Sequence, residues 1–555
     1  MSLFASSKSK SDGTASGEPM VWFSGMWLSI GLLMIITLLV VIVKNGLTLF
    51  WPSEVVQIEL VEGSEASIQG ASTLAGEVRK RQDKRVLDTE GNVIPELQLF
   101  VGNRDAYGFG FRYVNQSDVA NKTYPKDIIV AERIEYGDII GYPVSMKLAS
   151  GVVTADAPDF RKRFESVVGL SNDRRHEIEV IEKKKIGAIN YEMQALKLSL
   201  RKAELGGDLT DELRTSVEQR TAELQTEYEV LAKQATDLRA AQKAETFVCR
   251  LPTGAEREVA LGDLIHFYYP NQMGLFDRVG HFFAEIWNFL SEDPREANTE
   301  GGVFPAIFGT FVMTLLMSLV VVPFGVVAAI YLREYSKQGP LVRAVRIAVN
   351  NLAGVPSIVF GVFGLGFFVY LVGGSIDSLF YPERLPTPTF GTGGIIWASL
   401  TLALMTVPVV IVSTEEALAA VSRGAREASL ASGASKWQTI QRIVLPASVP
   451  GIITGLVLSM ARGAGEVAPL MLVGVVKLAP TLPLDGDAPF VHLERKFMHL
   501  GFHIYDLGFQ SPDSEAAKPM VFATTLLLIA LVVVLNAAAI ILRERLRRKY
   551  ASSAF

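Results

Sequence analysis

The chain has 555 residues, a formal net charge of −5 and a hydrophobic share of 49%, with a mean hydropathy of +0.29; it is long enough for several domains and too apolar to lie wholly in water. Its charge is small and its basic residues gather in particular loops, which excludes a nucleic-acid-binding face. The lone cysteine, Cys249, excludes an intrachain disulfide and a Cys-based zinc site and reads as a buried small hydrophobe.

Residues 1–18 are rich in Ser, Gly, Ala and Lys, with little to bury, and read as a disordered cytoplasmic tail. From Pro19 to Val43 no charge appears, a run longer than the ~20 residues that cross a ~30 Å hydrocarbon core. Lys44-Asn45-Gly46 follows where a signal peptide would show a small-residue cleavage site, so 19–43 reads as a retained first span.

Residues 44–300 form a long insertion. Polar and apolar residues alternate at Val55–Val61, Leu97–Val101, Gly108–Val114 and Asp127–Ile134, which predicts strands. Over about 163–245 the period changes: Ile186, Ile189, Met193, Leu196, Leu200 and Ala203 step by three and four, Leu213 to Leu238 repeat the pattern, and Gly206-Gly207 separates the sets. This predicts a helical hairpin with arms of ~40 to 55 Å. Strand-like residues at Thr246–Arg250 and Glu258–Tyr269 make it a projection from a β-rich domain, acting as a partner-contact arm or as a passive spacer.

The core, 301–549, carries five further spans at about Val303–Leu332, Ile347–Val372, Gly393–Ser413, Pro450–Val476 and Pro519–Leu542, before a short tail at 550–555. Lys8 and Lys10, then Arg333, Lys337, Arg343 and Arg346, then Arg423, Arg426, Lys436 and Arg442, then Arg543 to Lys549 all fall on one face. The positive-inside rule makes that face cytoplasmic, with both termini on it and the insertion outside. No Gly-x-x-x-x-Gly-Lys-Ser/Thr phosphate loop occurs, so the chain is not expected to hydrolyse ATP.

The polar segment 414–446 separates spans four and five. Ala417, Leu418, Val421, Ala425, Ala428 and Ala431 predict a short helix with a narrow apolar face; Gly433 suits its stop, a second short helix starts near Lys436, and Pro446 suits a further boundary. Glu415-Glu416 read as the end of span four, capping it or touching a partner. Glu427-Ala428-Ser429, Gly433 and Ile443-Val444-Leu445-Pro446, in that order and spacing, resemble the EAA loop of permease subunits of binding-protein-dependent ABC importers. The resemblance implies that Glu427, Ala428, Gly433, Ile443, Leu445 and Pro446 dock a separate ATPase.

In span five Arg462 lies about 18 Å along a helix from Pro450, near the midplane, with Glu466 one turn further on the same face. An ion at that depth is costly unless it faces a partner or a watery path, so the pair lines a solute path or neutralises itself and holds the bundle. Gly455, Gly463, Ala464 and Gly465 remove side-chain bulk, and Pro469 is expected to bend or interrupt the helix. His499 and His503, four apart with no third ligand evident, read as a solvated pair in an external loop.

Ala461 to Leu470 (ARGAGEVAPL), Asn351 to Gly361 and Leu400 to Leu418 resemble the A-type permease subunit of bacterial phosphate-specific ABC importers. The resemblance implies an all-α integral membrane protein of the inner membrane: a six-span type I ABC importer permease bundle, here with a large α+β extracytoplasmic insertion. It implies phosphate passage along Arg462 and Glu466, and pairing with a second permease subunit, two ATPase subunits and a periplasmic phosphate-binding protein. It implies no cofactor in this chain, with ATP and magnesium on the ATPase. Val467 replaces the usual Thr, and the insertion is far larger than in short members. The alternatives are a permease for sulfate, molybdate or phosphonate, a membrane sensor reading a ligand through the hairpin, and a channel without ATP coupling.

Overall fold

Six helices among the described residues are long and apolar enough to cross a membrane. The computed structural model describes residues 19–84, 93–486, 490–511 and 514–551; the expected tail at 1–18, and 552–555 of the C-terminal one, lie outside them. Span one is Pro19–Thr48. Spans two to six are Phe304–Tyr335, Ser357–Phe380, Ile395–Ala420, Lys436–Gly465 and Ser514–Arg548.

Span four is the axis of the bundle: 67% of its most apolar stretch is buried, against 6% for span one and 11% for span six, whose open apolar sides suit lipid. Spans two and five flank it through glycines. A Cβ at Gly325 would stand 2.6 Å from Val410, one at Gly451 2.4 Å from Ala417 and one at Gly455 2.8 Å from Ser413, so backbones approach where side chains are missing.

Three expected boundaries are corrected. Span three starts at Ser357 rather than Ile347, because Pro340–Leu352 is a separate amphipathic helix and Pro356 disfavours helical backbone at Val355. Span four continues to Ala420 past Glu415-Glu416, since Glu415 finds Arg346 at 3.2 Å and ends nothing. Span five starts at Lys436 and stops at Gly465, well short of Val476. Pro446 therefore lies inside a continuous helix and is no boundary; a widened π turn at Ile440–Val444 precedes it and absorbs the bond its missing N–H cannot make.

The insertion folds as two large antiparallel sheets, with a two-stranded ribbon, Pro294–Arg295 against Glu300–Gly301, where it meets span two. Strands β1 (Val55–Leu60), β2 (Thr73–Asp83), β3 (Pro95–Phe100), β4 (Phe111–Asn115) and β5 (Val119–Thr123) pair in the order β4-β3-β2-β1-β5. Strands β6 (Ile129–Arg133), β7 (Ile139–Leu148), β8 (Gly151–Thr154), β9 (Thr246–Arg250), β10 (Glu256–Ala260) and β11 (Leu264–Tyr268) give β10-β9-β7-β6-β11, with β8 on β7. Between β8 and β9 the chain makes the hairpin. Its first arm runs unbroken from Phe160 to Gly206, about 70 Å and longer than expected, and its second is Asp211–Ala244, about 51 Å. Gly207 turns between them at φ +76°. The first arm roots in the second sheet through Phe160, Phe164 and Val168.

An unforeseen amphipathic helix, Leu275–Ser291, links the insertion to the bundle. Its Phe289 ring packs 5.2 Å from Phe50 at the end of span one, and its Phe289 carbonyl accepts from the Val303 amide at the entry to span two. Gln98 of β3 donates to Glu515 of span six at 2.8 Å.

Candidate functional site: the broken end of span five and the loop before it

Span five ends because its last turn is weak. Gly463 and Gly465 cost helix stability, and Pro469 has no N–H to give the Gly465 carbonyl. Glu466 then takes extended backbone, φ −85° and ψ 133°, and residues 466–469 run without helix into a short turn at Leu470–Val473. The helix is interrupted next to Pro469 as expected, but its last residue lies four ahead of that proline, and Arg462 stands in the last turn rather than midway along the span. A cation there is favoured by the partial negative charge of the helix C-terminus.

Glu466 still meets Arg462, with Oε1 3.6 Å from Nε, and the two side chains are 25% and 31% exposed. The contact is loose, and both groups keep open sides. Around them small residues fix the backbone. Gly463 packs on Met317 of span two, where a Cβ would fall 2.5 Å from the sulfur; a Cβ on Gly361 of span three would meet Pro469 Cα at 2.7 Å; Gly465 faces open space. Val467 packs beside Gly501, in the helix Leu500–Phe509.

That helix corrects a further expectation. His499 and His503 are not solvated but buried, in a stretch where Phe497, Met498, Leu500 and Leu507 are buried as well. The Gly501 amide donates to His499 Nδ1 at 3.1 Å. Burial drives the His499 imidazole down to about 3. Burial also lowers His503, with Lys477 adding to the effect and Asp506 opposing it, to about 4. Asp506 in turn holds Lys477 at 2.9 Å and accepts from buried Asn298 at 3.2 Å.

At the far end of span five the polar loop forms two helices. Ser422 caps Arg423–Ala431, its hydroxyl accepting from the Ala425 amide. Gly433, at φ +86°, ends that helix as its amide bonds the Leu430 carbonyl. Ser435 and Gln438 form a capping box that starts Lys436 and with it span five. Ala417 and Leu418, expected in the loop helix, belong instead to span four. The Ser429 and Thr439 hydroxyls meet at 2.9 Å and clamp the two pieces together. Arg426 reaches Glu334, at the end of span two, at 2.5 Å, and Lys436 donates to the Glu334 carbonyl.

Glu427, Ala428 and Gly433 are exposed on this knob, while Ile443, Leu445 and Pro446 are half-buried in the helix behind it. Sequence reasoning passed over Leu430 and Trp437, whose side chains stand exposed beside them. Large apolar side chains in a polar loop, spaced outside its small-residue face, were the available signal.

Residues 321–549 match the family described as "Binding-protein-dependent transport system inner membrane component". The chain is also similar to transport-system permeases. It is 42% identical over 188 residues to the phosphate transport system permease protein PstA of Mycobacterium leprae, covering 34% of this chain and 56% of that relative. The PstA of Yersinia pestis is 37% identical over 183 residues, covering 33% and 56%. The probable ABC transporter permease protein YqgI of Bacillus subtilis is 29% identical over 237 residues, covering 41% of this chain and 74% of that one. The chain thus spans little more than half the length of the PstA relatives.

Proposed function

We propose that the chain is the transmembrane permease subunit of an ATP-driven phosphate importer, forming half of the translocation path. The observation that carries the reading is the open, loosely paired Arg462 and Glu466 at a helix break, within the residues 321–549 that match the permease family, in a chain 42% identical over 188 residues to a phosphate permease. A guanidinium offers a planar fork of donors that fits a phosphate and stays charged at any physiological pH. Glu466 holds Arg462 while the path is empty and releases it to a passing oxyanion.

In this reading a second permease completes the path, two ATPase subunits carrying ATP and magnesium sit below, and a periplasmic phosphate-binding protein delivers from above. The exposed knob at Glu427, Ala428 and Gly433, with Leu430 and Trp437, docks the ATPase. Because the helix that begins at Lys436 runs to Gly465 and carries Arg462 in its last turn, a push on the knob is passed along span five to the site. Glu334 carries the push to span two as well. The cluster of basic residues on the knob face supports a cytoplasmic orientation for it, with the insertion outside.

Reconstitution with the three partner types tests the reading. ATP hydrolysis stimulated by phosphate-loaded binding protein, and unmoved by excess sulfate, molybdate or phosphonate, is the expected result. Stimulation by one of those anions instead would keep the permease and replace its cargo, and hydrolysis indifferent to any anion would reject the reading.

A further inference from the structure

The insertion holds a group of side chains that transport leaves unused. His266 on β11 stands directly opposite Glu132 on β6. His266 Nε2 lies 3.0 Å from Glu132 Oε2 and 3.1 Å from Oε1 of Glu285, on the linker helix Leu275–Ser291. The three donor atoms fall within 4.8 Å of one another. One turn back on the same helix, His281 Nε2 is 3.8 Å from the same Glu285 oxygen. Arg295 binds the other oxygen of Glu132.

We propose that Glu132, His266 and Glu285 form a binding site for a divalent cation of the zinc class, with His281 or water completing the shell. The donor set carries the argument first. Imidazole with two carboxylates suits zinc or cobalt, whereas magnesium and calcium prefer oxygen alone. The spacing carries it further. Bonds of ~2.0 Å in a tetrahedral shell set neighbouring donors about 3.3 Å apart, so the Nε2 to oxygen separations need open by only a few tenths of an ångström. Two carboxylate oxygens converge on one Nε2–H, which serves both only through a divided bond; a cation in place of that proton serves each with a full contact. Arg295 supplies the outer contact that orients a ligating carboxylate. The side chains of His266, Glu132 and Glu285 are 31%, 18% and 25% exposed, so the group is within reach of solvent.

The site joins two strands to the helix that enters span two. An ion there fastens the insertion to the bundle, a role independent of which solute the bundle carries.

The test uses the full-length protein in detergent, free of any affinity tag and stripped with a chelator, titrated with Co2+ alone and then with Zn2+ in competition. One Co2+ per chain, a visible ligand-field band and its displacement by Zn2+ are expected. His266→Lys keeps a cation between the carboxylates so that the fold is retained, but removes the nitrogen ligand; Co2+ binding should weaken about 100-fold or more. Glu285→Gln should weaken it as well, with unchanged elution and circular dichroism. No saturable binding by the unaltered protein would overturn the proposal in favour of a protonated His266 shared between two carboxylates. Equal binding by His266→Lys and Glu285→Gln would overturn it too.

Discussion

Arg462 is held by little besides its helix and Glu466, so its replacement tests chemistry more than folding. Arg462→Ala is expected to reduce phosphate uptake at least 100-fold with assembly intact, and Arg462→Lys, keeping charge but losing the planar fork, to retain a measurable part. Uptake undiminished in Arg462→Ala would mean that the pair merely braces the bundle. The buried imidazoles give a second residue-scale outcome. With folded values near 3 and 4 against an ordinary 6.5, His499 and His503 are neutral in the folded protein, so the stability they permit is full above pH 6.5. It drains as pH falls from 6.5 toward those values, with a slope of up to about 1.4 kcal/mol per pH unit for each imidazole. Denaturation midpoints measured from pH 7 to 4 should fall more gently in His503→Gln, which cannot titrate; parallel curves would contradict the burial argument.

Among elements, the knob and the helix break are the parts whose geometry the proposed function requires. Gly433 sits at φ +86° with open space around it, so Gly433→Leu meets backbone strain alone, about 1 to 2 kcal/mol. It should loosen the knob and lower ATPase copurification several-fold; full copurification would reject the docking role. Gly361→Leu acts at the other end, driving a side chain into Pro469 and displacing the segment that carries Glu466. A cost of about 1 to 3 kcal/mol and at least a tenfold loss of uptake are expected, and unchanged uptake would detach residues 466–469 from the path. What was legible in the sequence follows the same division. Span number, the knob's Gly turn and the hairpin were readable because each is set by local pattern. The stop at Gly465 was not, since hydropathy continues through Val476 and only the sum of two glycines and a proline ends the helix. β2 escaped because Arg79, Lys80 and Arg81 interrupt its alternation, and burial of the two histidines depends on a neighbouring span, Thr310 accepting from the Leu500 amide.

At the scale of the molecule, the two halves differ in what they bury. The bundle is organised around span four, while the distal hairpin buries little beyond Ile189, Val217 and Leu224. Replacing the chain between Ile189 and Leu224 with a short turn should therefore leave the thermal midpoint of the protein within a few degrees of its original value; a large fall would show the arm to be a structural strut. The most direct measurement is uptake of labelled phosphate into vesicles carrying this chain with the permease, ATPase and binding-protein partners proposed for it. The account predicts uptake that requires ATP, resists excess sulfate and molybdate, and vanishes in Arg462→Ala; uptake without ATP, or unchanged in that variant, would contradict it.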